Sequence, residues 1–167
     1  MSENSAKIIR QFVTADGLKE IDQWVSKYPK NERQSAVMAA LMVVQKEQGY
    51  LTKESMDAVA EYLHMPAIAV YEVSTFYSMY EHKPVGRHSI NVCTNISCKL
   101  RNSDQVVAHL EKKLAIKMGE TTQDGRFTLR AVECLGACVN APMIQVDKDY
   151  HENLSVDKID AVLEEYP

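Results

Sequence analysis

The sequence predicts an α+β protein, in which an N-terminal helical bundle is followed by a smaller domain with a mixed sheet and the element order β-α-β-β-α. Apolar residues recur at helical spacing before residue 86, whereas several segments after it alternate at strand spacing. All four cysteines lie in the second half, at positions 93, 98, 134 and 138. Proline and glycine interrupt the chain at 82–86, so we expect one domain over 1–86 and another over 87–167.

Four helices are predicted in the first part, over 17–27, 32–48, 52–64 and 66–77. Gly49 suits the left-handed residue that ends a helix, and Thr52 suits an N-cap. Pro66 suits the first turn of the last helix. The apolar stripes of these helices fit an ordinary packed bundle and also a surface that docks a partner, and their spacing does not separate the two.

The second part alternates strands with helices. Strands are predicted over 89–93, 127–132 and 143–146, and helices over 103–115 and 155–164. The first two strands and the helix between them should form a right-handed parallel unit. We expect the last two strands to pair antiparallel, with one helix covering each side or end of the sheet.

Composition excludes several classes of protein. The 167 residues include 19 basic and 23 acidic side chains, a net charge of −4, whereas a nucleic-acid binder needs a basic surface. The longest apolar run, 36–44, is far shorter than the roughly 20 residues of a spanning helix. The first residues lack the basic start and apolar stretch of a signal peptide. We therefore expect an intracellular protein, in which thiols stay reduced.

The four cysteines form two pairs at predicted strand ends. Cys93 ends the first strand and Cys98 follows in the next loop, while Cys134 follows the second strand and Cys138 comes four residues later. The carboxyl ends of parallel strands lie at one edge of a sheet, where such sheets bind ligands. The four sulfur atoms should therefore converge.

Three interpretations of the converging thiols compete. A disulfide pair is disfavoured in a reducing compartment. Structural zinc more often uses two-residue gaps, and the four-residue gap between Cys93 and Cys98 lies at the edge of the zinc range. A [2Fe–2S] cluster takes two thiolates per iron and accommodates wider gaps. Gly136 would let the backbone approach sulfur closely, and all-thiolate ligation would give a low potential, on the order of −400 mV.

The segment 124–142, DGRFTLRAVECLGACVNAP, resembles the signature of the thioredoxin-like [2Fe–2S] ferredoxin subunit of NADH-quinone oxidoreductase, respiratory complex I. The upstream CTNISC and STFYSMY segments are also similar to that family. The resemblance covers nearly the whole chain. The matching signature residues are Asp124, Phe127, Thr128, Cys134, Leu135, Gly136, Cys138, Ala141 and Pro142.

The resemblance implies a thioredoxin-like C-terminal domain that binds one [2Fe–2S] cluster through Cys93, Cys98, Cys134 and Cys138. It implies a redox subunit of a translocase that exchanges single electrons with FMN on a partner flavoprotein subunit, which also binds NADH, and it implies no catalytic residue on this chain. No nucleic acid or direct membrane insertion is expected. The expected location is cytoplasmic, in the peripheral arm of a membrane-bound complex. The alternative is the equivalent subunit of an NAD-dependent formate dehydrogenase or NAD-reducing hydrogenase.

Three sets of residues outside the cysteines invite a functional role. His88 lies close to Cys93 in sequence, but a full cysteine set leaves no ligand position for it. The aromatic residues of the 71–80 segment are expected to pack in the core or at an interface rather than to line an electron path. These are Tyr71, Phe76, Tyr77 and Tyr80. Met38 and Met42 are expected to fill the core.

Overall fold

A computed structural model describes the backbone of residues 3–167 and the side chains from residue 6 onward. The first two residues of the predicted 1–86 domain lie outside the described residues. The chain divides into two compact units, one ending at Pro84 and the other beginning at Val85. Within residues 3–167, no helix is both long enough and apolar enough to span a bilayer.

The first unit is helical. The four predicted helices are present, together with a further helix, α1 (Glu3–Ile9), and a short 3₁₀ turn at Arg33–Ala36. The turn was predicted as part of the following helix, and α1 was not predicted. The α-helices among the described residues of this unit are α1 (Glu3–Ile9), α2 (Ala15–Ser26), α3 (Val37–Gln48), α4 (Lys53–Leu63) and α5 (Ala67–Phe76).

Specific residues set the helix ends in this unit. Gly49 ends α3 with a φ of 84°, a left-handed conformation that suits glycine. Thr52 caps α4: its hydroxyl accepts from the Ser55 N–H at 3.1 Å, and the Ser55 hydroxyl accepts from the Thr52 N–H at 3.0 Å. Pro66 precedes α5 and takes the N-cap position itself.

The apolar stripes of these helices meet in one core. Ile21, Leu41, Val59 and Tyr62 are fully buried there, and Met38 packs against the same cluster. Met42 is 43% exposed, so its predicted role as core filler is wrong.

The predicted aromatic segment divides between core and surface. Tyr80 is buried and its hydroxyl donates to the Met38 carbonyl at 3.0 Å, and Tyr71 packs against the core. Phe76 and Tyr77 meet edge to face at 5.0 Å and remain exposed, so they do not fill the core.

The second unit contains a mixed four-stranded sheet of order β2-β1-β3-β4. The strands are β1 (His88–Cys93), β2 (Phe127–Val132), β3 (Ile144–Val146) and β4 (Asp149–His151). The parallel pairing of β1 with β2 confirms the predicted unit and aligns His88 with Phe127 and Cys93 with Val132. The helices are α6 (Ile96–Leu100), α7 (Ser103–Leu114) and α8 (Val156–Glu164). The predicted order β-α-β-β-α omitted α6 and β4.

The antiparallel pairing differs from the prediction. We expected β2 to pair with β3, but β3 pairs with β1 and β4. The outer edge of β2 is already occupied by the preceding segment, because Gly119 N–H donates to the Leu129 carbonyl at 2.7 Å and Leu129 N–H donates to the Glu120 carbonyl at 3.0 Å. The free edge of β1 is therefore the one that β3 joins.

Both long helices of this unit cover the same face of the sheet, rather than one on each side or end as expected. Ile90, Leu129 and Ile144 form a core with side chains of α7 and α8. The register pairs Asn91 with Arg130 of β2 and with Gln145 of β3. These three residues occupy the alternate positions of their strands, so their side chains lie on the other face of the sheet. Those polar residues offer no apolar surface for a helix to bury.

Replacing the α4 cap should destabilise the first unit. Thr52→Ala removes the hydroxyl that accepts from Ser55 N–H, and loss of such a cap costs about 1 kcal/mol. Urea unfolding followed by circular dichroism measures the change. Thr75→Ala is the control, since its hydroxyl bonds only to carbonyls of its own helix, at Tyr71 and Glu72. Equal stability of the two variants would contradict the capping role.

Candidate metal centre

The parallel register brings the two cysteine-bearing loops to one edge of the sheet. Since Cys93 lies opposite Val132, β1 and β2 end together, and Cys134 follows two residues after β2 ends. Thr94 N–H continues the ladder to the Val132 carbonyl at 3.0 Å. Both loops therefore leave the sheet from the same place, as the strand positions predicted.

The first loop holds its sulfur atoms inside the protein. Cys93 is 2% exposed and Cys98, in the short helix α6, is 1% exposed. They form a small apolar cluster with Ala141 and Met143, separate from the main core of the unit. Burial excludes water from this pair of thiols.

The second loop carries its cysteines at the surface. Cys134 and Cys138 are exposed, and Cys138 begins a short 3₁₀ turn, Cys138–Asn140. Gly136 has a φ of 79°, and its N–H donates to Cys134 Sγ at 3.3 Å. The left-handed backbone that glycine permits thus aims an amide at sulfur.

The buried thiols have pKa values that move in opposite directions. Burial tends to raise the pKa of Cys93, but the Asn95 N–H, the Cys98 thiol, the Leu135 N–H and the Cys134 thiol together hold it below its usual value. Burial raises the pKa of Cys98, and the neighbouring Cys93 raises it further. Once one thiolate forms, the site resists a second unless positive charge is present.

The structure brings the predicted ligands together as neighbours. Cys93 interacts with Cys98 and Cys134, Cys98 also lies within the electrostatic influence of Cys138, and none of the four is in a disulfide. Among the described residues, no group of three or more potential ligands surrounds a single point closely enough to hold one metal ion. A [2Fe–2S] cluster makes a different demand, because each of its irons takes two thiolates.

The 133–143 loop is braced by residues that the sequence reasoning missed. The Tyr150 hydroxyl donates to the Leu135 carbonyl at 2.8 Å. The Asn140 amide donates to Glu152 Oε2 at 2.6 Å, and Leu154 N–H donates to the Pro142 carbonyl at 3.0 Å. All the bracing groups come from β4 or the residues just after it. The sequence does contain a signal for this hairpin. The polar pair Asp147-Lys148 connects two short segments in which side-chain polarity alternates, which is a hairpin pattern.

The nearest histidine takes part in other contacts. His88 lies at the opposite end of β1 from Cys93, and its Nδ1 is 2.7 Å from Asp147 Oδ2. Its ring also contacts Tyr166, with centroids 5.3 Å apart. This pairing places His88 among the C-terminal residues of the chain rather than at the cysteines.

Large apolar side chains are exposed on both cysteine-bearing segments. Ile96 and Leu100 of α6 are 67% and 79% exposed, and Val139, next to Cys138, is 86% exposed. Exposed apolar residues beside a candidate site are candidates for contact with another protein. We call Ile96, Leu100 and Val139 the apolar rim.

The sequence matches the family model for thioredoxin-like [2Fe-2S] ferredoxins over residues 21–167. It is 46% identical to an E-type subunit of NADH-quinone oxidoreductase from Rhizobium meliloti (strain 1021), over 89% of this chain and 87% of the relative. It is 47% identical to the E-type subunit of NADH-quinone oxidoreductase from Rickettsia typhi (strain ATCC VR-144 / Wilmington), over 85% of this chain and 84% of the relative.

A solved structure shares the fold. The air-oxidised NAD⁺-reducing [NiFe]-hydrogenase superposes with a TM-score of 0.67 at 22% identity, over 81% of this chain and 24% of the hydrogenase chain. This chain thus spans about a quarter of the length of that hydrogenase chain. At this level of identity the similarity supports the fold and nothing further.

Gly136→Ala should destabilise the second unit because alanine strains a left-handed backbone by about 1–2 kcal/mol. Unfolding of the metal-free protein in urea measures the loss. Gly119→Ala is a matched positive control and should lose a similar amount of stability. Gly119 also has a left-handed φ, of 86°, and an added Cβ would likewise meet no atom within 4 Å. A Gly136 variant as stable as the wild type would show that the loop adopts another conformation in solution.

Proposed function

Because the chain belongs to the thioredoxin-like [2Fe–2S] ferredoxin family, we propose that it is the electron-transfer subunit of an NADH-quinone oxidoreductase. The observation that carries this proposal is that β1 and β2 end at one sheet edge and that four free cysteines lie at that edge, at the end of β1 and on the two segments that follow the strands. Relatives that are 46% and 47% identical over most of both chains are named as E-type subunits of that enzyme. The resemblance noted in the sequence is thereby confirmed.

The proposed ligands are Cys93, Cys98, Cys134 and Cys138. The residues fit a [2Fe–2S] cluster, because the thiols are free, amide groups point at the sulfur atoms of Cys93 and Cys134, and a second thiolate requires nearby positive charge. When bound, the cluster would supply one-electron reduction and oxidation. The chain's own residues hold the thiolates, exclude water from one pair and leave the other pair at the surface.

The proposed partner is a flavoprotein subunit that binds FMN and NADH. The sequence contains six glycines and no G-x-G-x-x-G motif, so it offers no dinucleotide-binding loop of that type. The apolar rim lies on the same segments as Cys98 and Cys138, which supports a docking surface for this partner beside the proposed ligands. Assembly with such a partner would place this chain in the peripheral arm of the complex, on the cytoplasmic side of the membrane.

A second candidate is the equivalent subunit of an NAD-reducing hydrogenase or formate dehydrogenase. The hydrogenase neighbour shares the fold of this chain, which is compatible with this candidate. Its 22% identity contrasts with 46% and 47% for the named E-type subunits, which favours the first candidate.

The cluster is tested on protein purified without oxygen. We expect two irons and two labile sulfides per chain and an electron paramagnetic resonance signal after dithionite reduction. Cys98→Ser and Cys138→Ser should each lose most of the iron, because a ligand to one iron is weakened. Ser97→Ala, next to Cys98, is the control and should retain the cluster. A colourless wild-type protein with one zinc and no sulfide would overturn the proposal.

The docking surface is tested by isolating the complex with a tag on this chain. Leu100→Glu and Val139→Glu place a charge on the apolar rim and should weaken association with the flavoprotein about tenfold, as for interface positions worth more than 1 kcal/mol. Val156→Glu, at the first residue of α8, changes an exposed apolar residue outside both cysteine-bearing loops and should leave association unchanged. Equal recovery of partner FMN from all variants would refute the rim as the contact.

A further inference from the structure

A chain of two hydrogen bonds connects β4 to a cysteine sulfur. The Tyr150 hydroxyl donates to the Leu135 carbonyl oxygen at 2.8 Å. That oxygen belongs to the same peptide group as the Gly136 N–H, which donates to Cys134 Sγ at 3.3 Å. One peptide group thus lies between a tyrosine hydroxyl and a candidate ligand.

The tyrosine bond acts on this peptide in two ways. Hydrogen bonds in series polarise one another, so a donor at the carbonyl strengthens donation by the N–H of the same peptide. The bond also fixes the orientation of the peptide, since its nitrogen belongs to Gly136, whose missing Cβ leaves the backbone unusually free to rotate. Without the hydroxyl, the N–H both donates less strongly and points at sulfur less often.

Hydrogen bonds fix the backbone on both sides of Tyr150. It pairs with Gln145 in the antiparallel ladder between β3 and β4. The residues after it bond to the far side of the same loop, through Glu152 to Asn140 and through Leu154 to Pro142. The hydroxyl therefore acts from a fixed position, although the tyrosine side chain is 49% exposed and adds little to the core.

We propose that Tyr150 is a positioning residue that raises the reduction potential of the cluster by holding the Leu135–Gly136 peptide with its N–H directed at Cys134 Sγ. This inference rests on the proposed function, because it requires the cluster to be present. Reduction adds one negative charge to the site, so an N–H···S bond stabilises the reduced state more than the oxidised state. Loss of the bond therefore shifts the potential in the negative direction.

Tyr150→Phe removes the hydroxyl and keeps the ring. The expected result is a fall in the equilibrium constant for reduction of up to about tenfold, which for a one-electron couple equals about 59 mV. The measurement is a redox titration followed by electron paramagnetic resonance on purified holoprotein. Resonance Raman spectra in H₂O and D₂O give a second readout, since a weaker N–H···S bond reduces the deuterium shift of the Fe–S stretching bands.

Tyr166→Phe is the matched control. The Tyr166 hydroxyl bonds to the same strand, β4, at Asp149 Oδ2 and His151 Nε2, 3.2 and 2.9 Å away, and has no bond to the cysteine loop. We expect its potential and deuterium shift to equal those of the wild type. An equal shift in both variants would assign the effect to general loosening of β4 and overturn the proposal.

The remaining outcomes separate this inference from the proposed function. If wild-type protein contains the cluster and Tyr150→Phe leaves the potential and the deuterium shift unchanged, the role of Tyr150 is wrong and the function stands. If wild-type protein contains no cluster, both fall together. Iron content of the two tyrosine variants should match the wild type, because neither hydroxyl is a ligand.

Discussion

The parallel pairing of β1 with β2 is the constraint on which the site depends. It ends both strands at one edge, so that loops from positions about 40 residues apart leave the sheet side by side. A one-residue change of register would turn the side chain of Cys93 to the core face, away from the 133–143 loop. Ile90 and Leu129 fix the register, because each is fully buried against α7 and α8.

The negative charge that four neighbouring thiolates would carry determines which cofactor the second unit can bind. At Cys93, amide groups and neighbouring thiols outweigh burial and lower the pKa, whereas burial and the neighbouring Cys93 raise the pKa of Cys98. The nearest cations in the sequence, Lys99 and Arg101, are both exposed. Backbone dipoles alone therefore support the first thiolate but not four. A positively charged iron–sulfur core meets this requirement from within the site, which is why the fold and the cofactor suit each other.

Sequence reasoning succeeded where the signal was local. Strand alternation placed Cys93 and Cys134 at strand ends, and the Thr52 cap followed from residue type. It missed β4 and gave β3 the wrong partner, because three-residue strands carry little alternation and their partner depends on which edges remain free. The Gly119–Leu129 bond that closes one edge of β2 is such a non-local fact. The contact of Tyr150 with Leu135 depends on the same hairpin and was missed for the same reason.

The two cysteine pairs differ in exposure, and this difference indicates which side of the site would face a partner in the proposed electron exchange. Cys93 and Cys98 are enclosed by Met143 and Ala141, whereas Cys134 and Cys138 lie at the surface beside Val139. A partner that covers the apolar rim would exclude water from the exposed pair and strengthen every electrostatic interaction there. The Gly136 amide, directed at Cys134 and held through Tyr150, would then act at the exposed pair, where the surrounding dielectric changes most on docking.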